Sequence, residues 1–192
     1  MSSNAQNDNT FKAGLILGVN ACQISGDNLG GFRQAAPIFG GFVNRKIKAN
    51  ASIQLEMYYI GKGSRKNADF EKEDYTFYRL YINYIEVPLV YIWQYKEKLA
   101  FEGGISTGAL LSYTEKDENG ELDAQYSEQE KFKRFDFSYL FGINYRLSSK
   151  WTFGFRFSNS LLPARENFGG AKFRLNRGQY HACINTRLVY SF

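Results

Sequence analysis

The chain closes on YHACINTRLVYSF, Tyr180–Phe192. Counting back from Phe192, every second residue is apolar, aromatic or threonine: Tyr190, Leu188, Thr186, Ile184, Ala182 and Tyr180. The residues between them are Ser191, Val189, Arg187, Asn185, Cys183 and His181. Successive side chains of a strand point to opposite faces, so this segment has one greasy face and one mostly polar face. The solvent that the greasy face meets decides how the rest of the chain folds.

Seven segments upstream repeat the alternation. Phe11–Ala21 sets Phe11, Leu15, Leu17 and Val19 against Lys12, Gly14, Gly18 and Asn20. Pro37–Asn44 is Gly-rich and the weakest. Ala51–Tyr59 sets Ile53, Leu55 and Met57 against Gln54, Glu56 and Tyr58. Tyr78–Trp93 contains Pro88, which normally marks an edge strand or a bulge. Leu99–Tyr113 places Leu99, Phe101, Ile105, Ala109, Leu111 and Tyr113 on its apolar face. Phe132–Arg146 is the clearest: Phe135, Phe137, Tyr139, Phe141, Ile143 and Tyr145 oppose Arg134, Asp136, Ser138, Gly142, Asn144 and Arg146. Trp151–Ser158 follows the same rule.

The connections alternate too. Arg45–Asn50, Gln94–Lys98 and Leu147–Lys150 are short, whereas Cys22–Ala36, Gly61–Tyr75, Thr114–Lys131 and Asn159–Gly178 are long and polar. Eight strands with turns at one end and loops at the other describe an eight-stranded antiparallel up-and-down transmembrane β-barrel. In bacterial outer-membrane barrels of this kind the termini lie on the turn side, in the periplasm. The final aromatic strand fits, and Tyr190 and Phe192 are the expected signal for the barrel-assembly machinery.

Composition agrees. Aromatics make up 17% of the 192 residues, with 18 Gly and only 3 Pro, which favours strands and turns over helices. No apolar run reaches the roughly 18 residues that a spanning helix needs. The +5 net charge is scattered rather than striped, which argues against nucleic acid as a partner. Residues 1–10 are polar with no apolar signal core, so a mature form with an added Met is expected: a periplasmic tail over 1–10 and a barrel domain over 11–192.

Period alone does not say which face points outward, because lipocalin-type barrels put the apolar face inside. Three features favour lipid. The apolar faces of the last four strands are nearly free of charge. Trp93 and Trp151 stand at turn-side ends, where an interfacial girdle belongs. The opposite face mixes Gly and Ser with both signs of charge. An eight-stranded interior is narrow enough for side chains to fill. Glu56, Glu86, Glu102 and Asp136 are expected to meet Arg134, Arg146, Arg156 and Arg187 there, because buried charges persist only when paired. The expected lumen is a plug rather than a pore.

Three stretches carry a family resemblance: GVNACQISGD from Gly18 to Asp27, QLEMYYIGKGS from Gln54 to Ser64, and YIEVPLV from Tyr84 to Val90. Their order and spacing resemble the PorT-like outer-membrane β-barrel family of Bacteroidetes. The resemblance implies an eight-stranded outer-membrane barrel. Some members of that family are accessory factors of type IX secretion and gliding motility, and no catalytic residues come with it.

Other motifs point to no chemistry. Gly104–Gly108 spells the G-x-S-x-G string of serine hydrolases, but Ser106 falls mid-strand instead of on a sharp strand-to-helix turn. His181 is the single histidine and has no positioned nucleophile. One His and two separated Cys give no metal-ligand spacing, so neither metal nor cofactor is expected. Cys22 and Cys183 share the inward parity, 11 residues from Phe11 and 9 from Phe192. Barrel stagger decides whether they bond or stay as two buried thiols. Among the loops, Glu115, Asp117, Glu118, Glu121, Asp123, Glu128 and Glu130 face Arg165, Lys172, Arg174 and Arg177. These solvated charges either attract one another across the mouth or, with Lys62, Arg65 and Lys66, meet lipopolysaccharide phosphates. The expected protein is a small non-enzymatic outer-membrane scaffold, bathed in lipid and lipopolysaccharide and meeting another envelope protein. A solute channel, a lipid-modifying enzyme and a soluble ligand-binding barrel are the alternatives.

Overall fold

A computed structural model describes residues 11–25, 30–68, 70–122, 131–165 and 178–192. The strands are β1 (Phe11–Ser25), β2 (Gln34–Lys48), β3 (Ala51–Lys66), β4 (Tyr78–Gln94), β5 (Leu99–Asp117), β6 (Gly120–Glu121), β7 (Phe135–Arg146), β8 (Trp151–Ser160) and β9 (Tyr180–Ser191). Each long strand pairs antiparallel with its neighbours in sequence, and β9 returns to pair with β1, closing an eight-stranded barrel. The two-residue β6 folds back on the loop-side end of β5 and takes no part in closure. The tail over residues 1–10 lies outside the described residues. Among those described, no helix is long and apolar enough to cross a membrane; the strands supply the crossing.

Alternation sorts the faces as the sequence implies. Leu15, Leu17, Leu55, Met57, Ile105 and Phe141 are all at least half exposed outward, a distribution that suits hydrocarbon and not water. At the turn end Trp93, Tyr95 and Phe101 contact one another, and Trp151 packs on Tyr190, which meets Phe192. These rings form an aromatic belt.

Three local expectations need correction. The weak Pro37–Asn44 segment is the middle of a 15-residue strand. Its glycines blur the hydrophobic pattern, but hydrogen-bonded neighbours on both sides hold it. Pro88 causes neither an edge nor a bulge. The β3–β4 ladder passes from Leu55 opposite Leu89 to Tyr58 opposite Glu86 in unchanged register, leaving only the rungs around Pro88 unpaired. Tyr113 does not face lipid. On β5 the partners of Asn83 and Tyr84 are Ser112 and Leu110, so Leu111 is an extra residue, a β-bulge. One inserted residue exchanges the faces of everything beyond it. Tyr113 therefore packs against the core and Glu115 becomes buried.

The interior is layered. A cluster with Ile24, Ile38, Ile60, Leu80, Ile82 and Tyr84 fills the loop-side half, and Phe132 and Ala164 join it from the loops. The turn-side half is charged. Sequence parity places polar groups inside but did not reveal this apolar half, whose Ile and Leu residues interrupt an otherwise polar face.

Candidate functional site

Two charge layers cross the lumen. In the first, Arg156 on β8 donates from Nε to Glu102 Oε1 (2.6 Å) and from Nη1 and Nη2 to the Glu56 oxygens (2.8 and 2.9 Å). Arg187 on β9 donates from Nη2 to Glu102 Oε1 (2.7 Å) and from Nη1 to Glu56 (3.3 Å). Gln54 and Asn144 complete the carboxylates at 2.8 Å each. All four ions are buried, and two cations balance two anions. Charges so far from water are tolerated only with this degree of pairing and hydrogen bonding. Gly142 makes the room: a Cβ there would sit 2.7 Å from Glu102 Oε1 and 2.5 Å from the Phe155 carbonyl oxygen.

In the second layer, closer to the loops, Lys62 Nζ bridges Glu86 (2.5 Å) and Asp136 (2.7 Å). Tyr58 and Ser106 donate to Glu86 at 3.2 and 3.5 Å. Tyr58 also accepts from Arg156 at 3.5 Å, so it links the layers.

Six of the eight charged residues expected inside therefore lie in the layers: Glu56, Glu86, Glu102, Asp136, Arg156 and Arg187. Two do not. Arg134 is exposed at the loop end beside the Phe135 ring. Arg146 is exposed at the turn end, donating to Gln94 at 3.2 Å. Parity fixes the face of a side chain and not its height, and both arginines stand at strand ends where solvent is close. Lys62 reverses the error. Expected among cations that meet lipopolysaccharide, it is 1% exposed and holds the second layer together. Continuing the inward series Gln54, Glu56, Tyr58, Ile60 by one more step would have found it.

Cys22 and Cys183 are register partners on β1 and β9, with Cα atoms 4.2 Å apart, and form a disulfide across the closing seam. Among the described residues no free cysteine remains. Ser106 lies inside mid-β5, bound to Glu86. His181 is buried between Tyr84 (Oη to Nε2, 3.4 Å) and the Phe132 ring. Ser106 bonds to the Glu86 carboxylate and His181 to Tyr84, so the two are not paired. Among the described residues, no group of His, Cys, Asp and Glu could hold a metal.

The loop-side mouth is capped. Arg165 grips Glu115 at 2.7 and 3.0 Å and Gln179 at 2.8 Å, and lies over the Phe132 ring at 4.5 Å. Tyr78 donates to Glu115 as well. The attraction between acidic and basic loops thus includes one buried pair, in place of the exposed contact expected of loop charges. Within the acidic loop itself, Lys116 and Glu121 make an exposed pair at 2.5 Å. Arg65 donates to Asn67 and Lys66 pairs with Asp74, both in the open. Asp123, Glu128, Glu130, Lys172, Arg174 and Arg177 lie outside the described residues.

Solved structures of similar shape are outer-membrane barrels. Ail, the attachment invasion locus protein of Yersinia pestis, aligns with a TM-score of 0.54 at 10% identity, covering 95% of this chain and 99% of that one, in a crystal structure with the heparin analogue sucrose octasulfate. Neisserial surface protein A aligns with a TM-score of 0.54 at 10% identity, covering 94% and 97%. Identities this low establish the shared fold alone. No curated protein sequence matches the chain. The family model for the outer membrane protein β-barrel domain matches residues 4–164. That span takes in the first seven barrel strands, and the chain accordingly belongs to the outer membrane protein β-barrel domain family.

Proposed function

We propose that this small outer-membrane barrel is a non-enzymatic structural or protein-interaction component, with its termini and short turns in the periplasm and its long loops outside. One observation carries the reading: the lumen is filled by two charge layers, an apolar layer and the Arg165–Glu115 cap. A filled lumen leaves no aqueous path for solute, and Ser106 and His181 make their hydrogen bonds to different partners, Glu86 and Tyr84. What remains available for work is the surface: loops, turns and rims. Outer-membrane lipid and lipopolysaccharide surround the barrel, Arg65 and Lys66 offer cations at the loop side, and the assembly machinery engages Tyr190 and Phe192. An accessory role in secretion or motility machinery rests on the PorT-like resemblance.

The test is a mild-detergent pull-down from native outer membranes, joined to planar-bilayer recording of the pure protein. Stoichiometric recovery of another envelope protein with no unitary conductance supports the reading. Steady conductance steps would replace it with a channel, and recovery of the barrel alone would remove the partner.

A further inference from the structure

Among the described residues, the lumen is sealed toward the loops and open toward the turns. On the turn side of the Glu102–Arg187 pair lies a cup of about 420 Å³, within the usual range of small-ligand sites. Lys12 on β1, Lys98 in the β4–β5 turn and Arg146 at the end of β7 border it. Asn44, Gln54 and Asn144 line its wall. A second recess shares Lys12 and Arg146 and adds Lys46 and Lys48, with Glu97 as its one carboxylate. The acid at the floor of the cup, Glu102, is already committed to Arg156, Arg187 and Asn144. The mouth is therefore strongly positive, and low-dielectric barrel walls focus such a field.

The floor of the cup is itself cationic. Arg187 lines the cup and is 2% exposed, and its Nε has no acceptor among the described residues although both Nη atoms are engaged. Buried donors are rarely left so. The surroundings also discriminate between anions. A phosphate site gathers donors onto one point, whereas here the cations are spread around a rim with side-chain amides between them. The Asn44, Gln54 and Asn144 NH2 groups are already donated within the wall, to Ser52 and Gln54, to Glu56 and to Glu102, so the spread cations carry the recognition. Phe42, Ile92 and Val189 add apolar wall suited to aliphatic stems.

We propose that the turn-side cup binds a short acidic peptide, its carboxylates paired with Lys12, Lys98 and Arg146 around the rim and its aliphatic stems against Phe42, Ile92 and Val189. This deepens the partner-binding reading above by giving it an end of the barrel and a chemistry.

The experiment is a fluorescence-anisotropy titration of a labelled Asp/Glu peptide against the full chain in zwitterionic micelles. Saturable binding is expected, weakened by salt as partly exposed ion pairs are. The double change Lys98→Gln with Arg146→Gln should weaken it at least about tenfold, the scale of losing charge-assisted hydrogen bonds. Arg134→Gln, at the opposite end, should leave it unchanged. Heat-modifiable gel mobility shows that each variant is folded. An Asn/Gln version of the peptide that binds equally well, a double variant that binds as well as the parent, or inorganic phosphate that competes as effectively as the peptide overturns the proposal. Binding that emerges only after residues 1–10 are removed assigns the cup to the chain's own tail and overturns it too. A pull-down partner retained by the double variant would preserve the accessory role while removing this site.

Discussion

Arg156 shows what a single side chain does in a narrow barrel. Its guanidinium is fully buried and crosses the lumen from β8 to meet two carboxylates, Glu56 on β3 and Glu102 on β5, from the two strands that flank β4. The planar fork grips Glu56 through both Nη atoms while Nε serves Glu102, a bidentate geometry that an ammonium does not reproduce. Arg156→Ala leaves two buried anions sharing Arg187, and breaking a buried pair in this way costs about 3–5 kcal/mol. Urea unfolding followed by heat-modifiable gel mobility should show that loss, with Arg156→Lys falling between the two. Unchanged stability of the alanine variant would mean that the layer is not held by charge. Outside the spanning strands, Asp74 offers a pH test. Hydrogen bonds from Lys66 and Thr76 hold its carboxyl down, at about 2 against an ordinary 3.8. A depressed folded-state value gives a contribution that is present above the ordinary value and lost as pH falls through about 2. A carboxyl titration by NMR should place Asp74 near that value, and Lys66→Met should move it upward. The faces of Glu56, Glu86, Glu102, Asp136, Arg156 and Arg187 could be read from a period of two. That of Lys62 was also available, had β3 been carried past Tyr59.

At the scale of elements, the seam between β1 and β9 is the pairing with the longest chain between its halves. Cys22 and Cys183 join it across a sequence separation of 161 residues. Cross-links over long loops restrict the unfolded chain, with typical stabilisation of about 2–4 kcal/mol. Reduction, or Cys22→Ser with Cys183→Ser, should lower the urea midpoint by a corresponding amount while the barrel still closes through its hydrogen-bonded ladder. A reductant-insensitive midpoint would show that the seam needs no cross-link. The bulge at Leu111 is the element-scale feature that the sequence concealed. Leu111 and Tyr113 both look lipid-facing in an unbroken strand, yet one extra residue sends Tyr113 and Glu115 inward. That reversal is what brings Glu115 to Arg165 and caps the mouth.

For the whole molecule, the decisive quantity is the position of the apolar band in the bilayer. Trp93 and Trp151 stand at the turn-side rim, 41% and 40% exposed, among other aromatic rings. Interfacial aromatics sit at headgroup depth. Tryptophan emission should therefore be quenched more by lipids brominated near the glycerol than by lipids brominated near the chain ends. The opposite order would place the belt inside the hydrocarbon and refute the assigned span. The sequence by itself determined the strands, the outward and inward faces, the short and long ends and hence the barrel class, because side-chain parity and connection length are local properties of a chain. Tertiary structure alone decided that Arg134 and Arg146 stay at the ends of the lumen, that Cys22 meets Cys183, and that the lumen, among the described residues, is sealed at one end and open at the other. Those outcomes depend on the stagger between strands and on a single bulge, which set the height of each residue around a closed sheet and leave no trace in the alternation of any one strand.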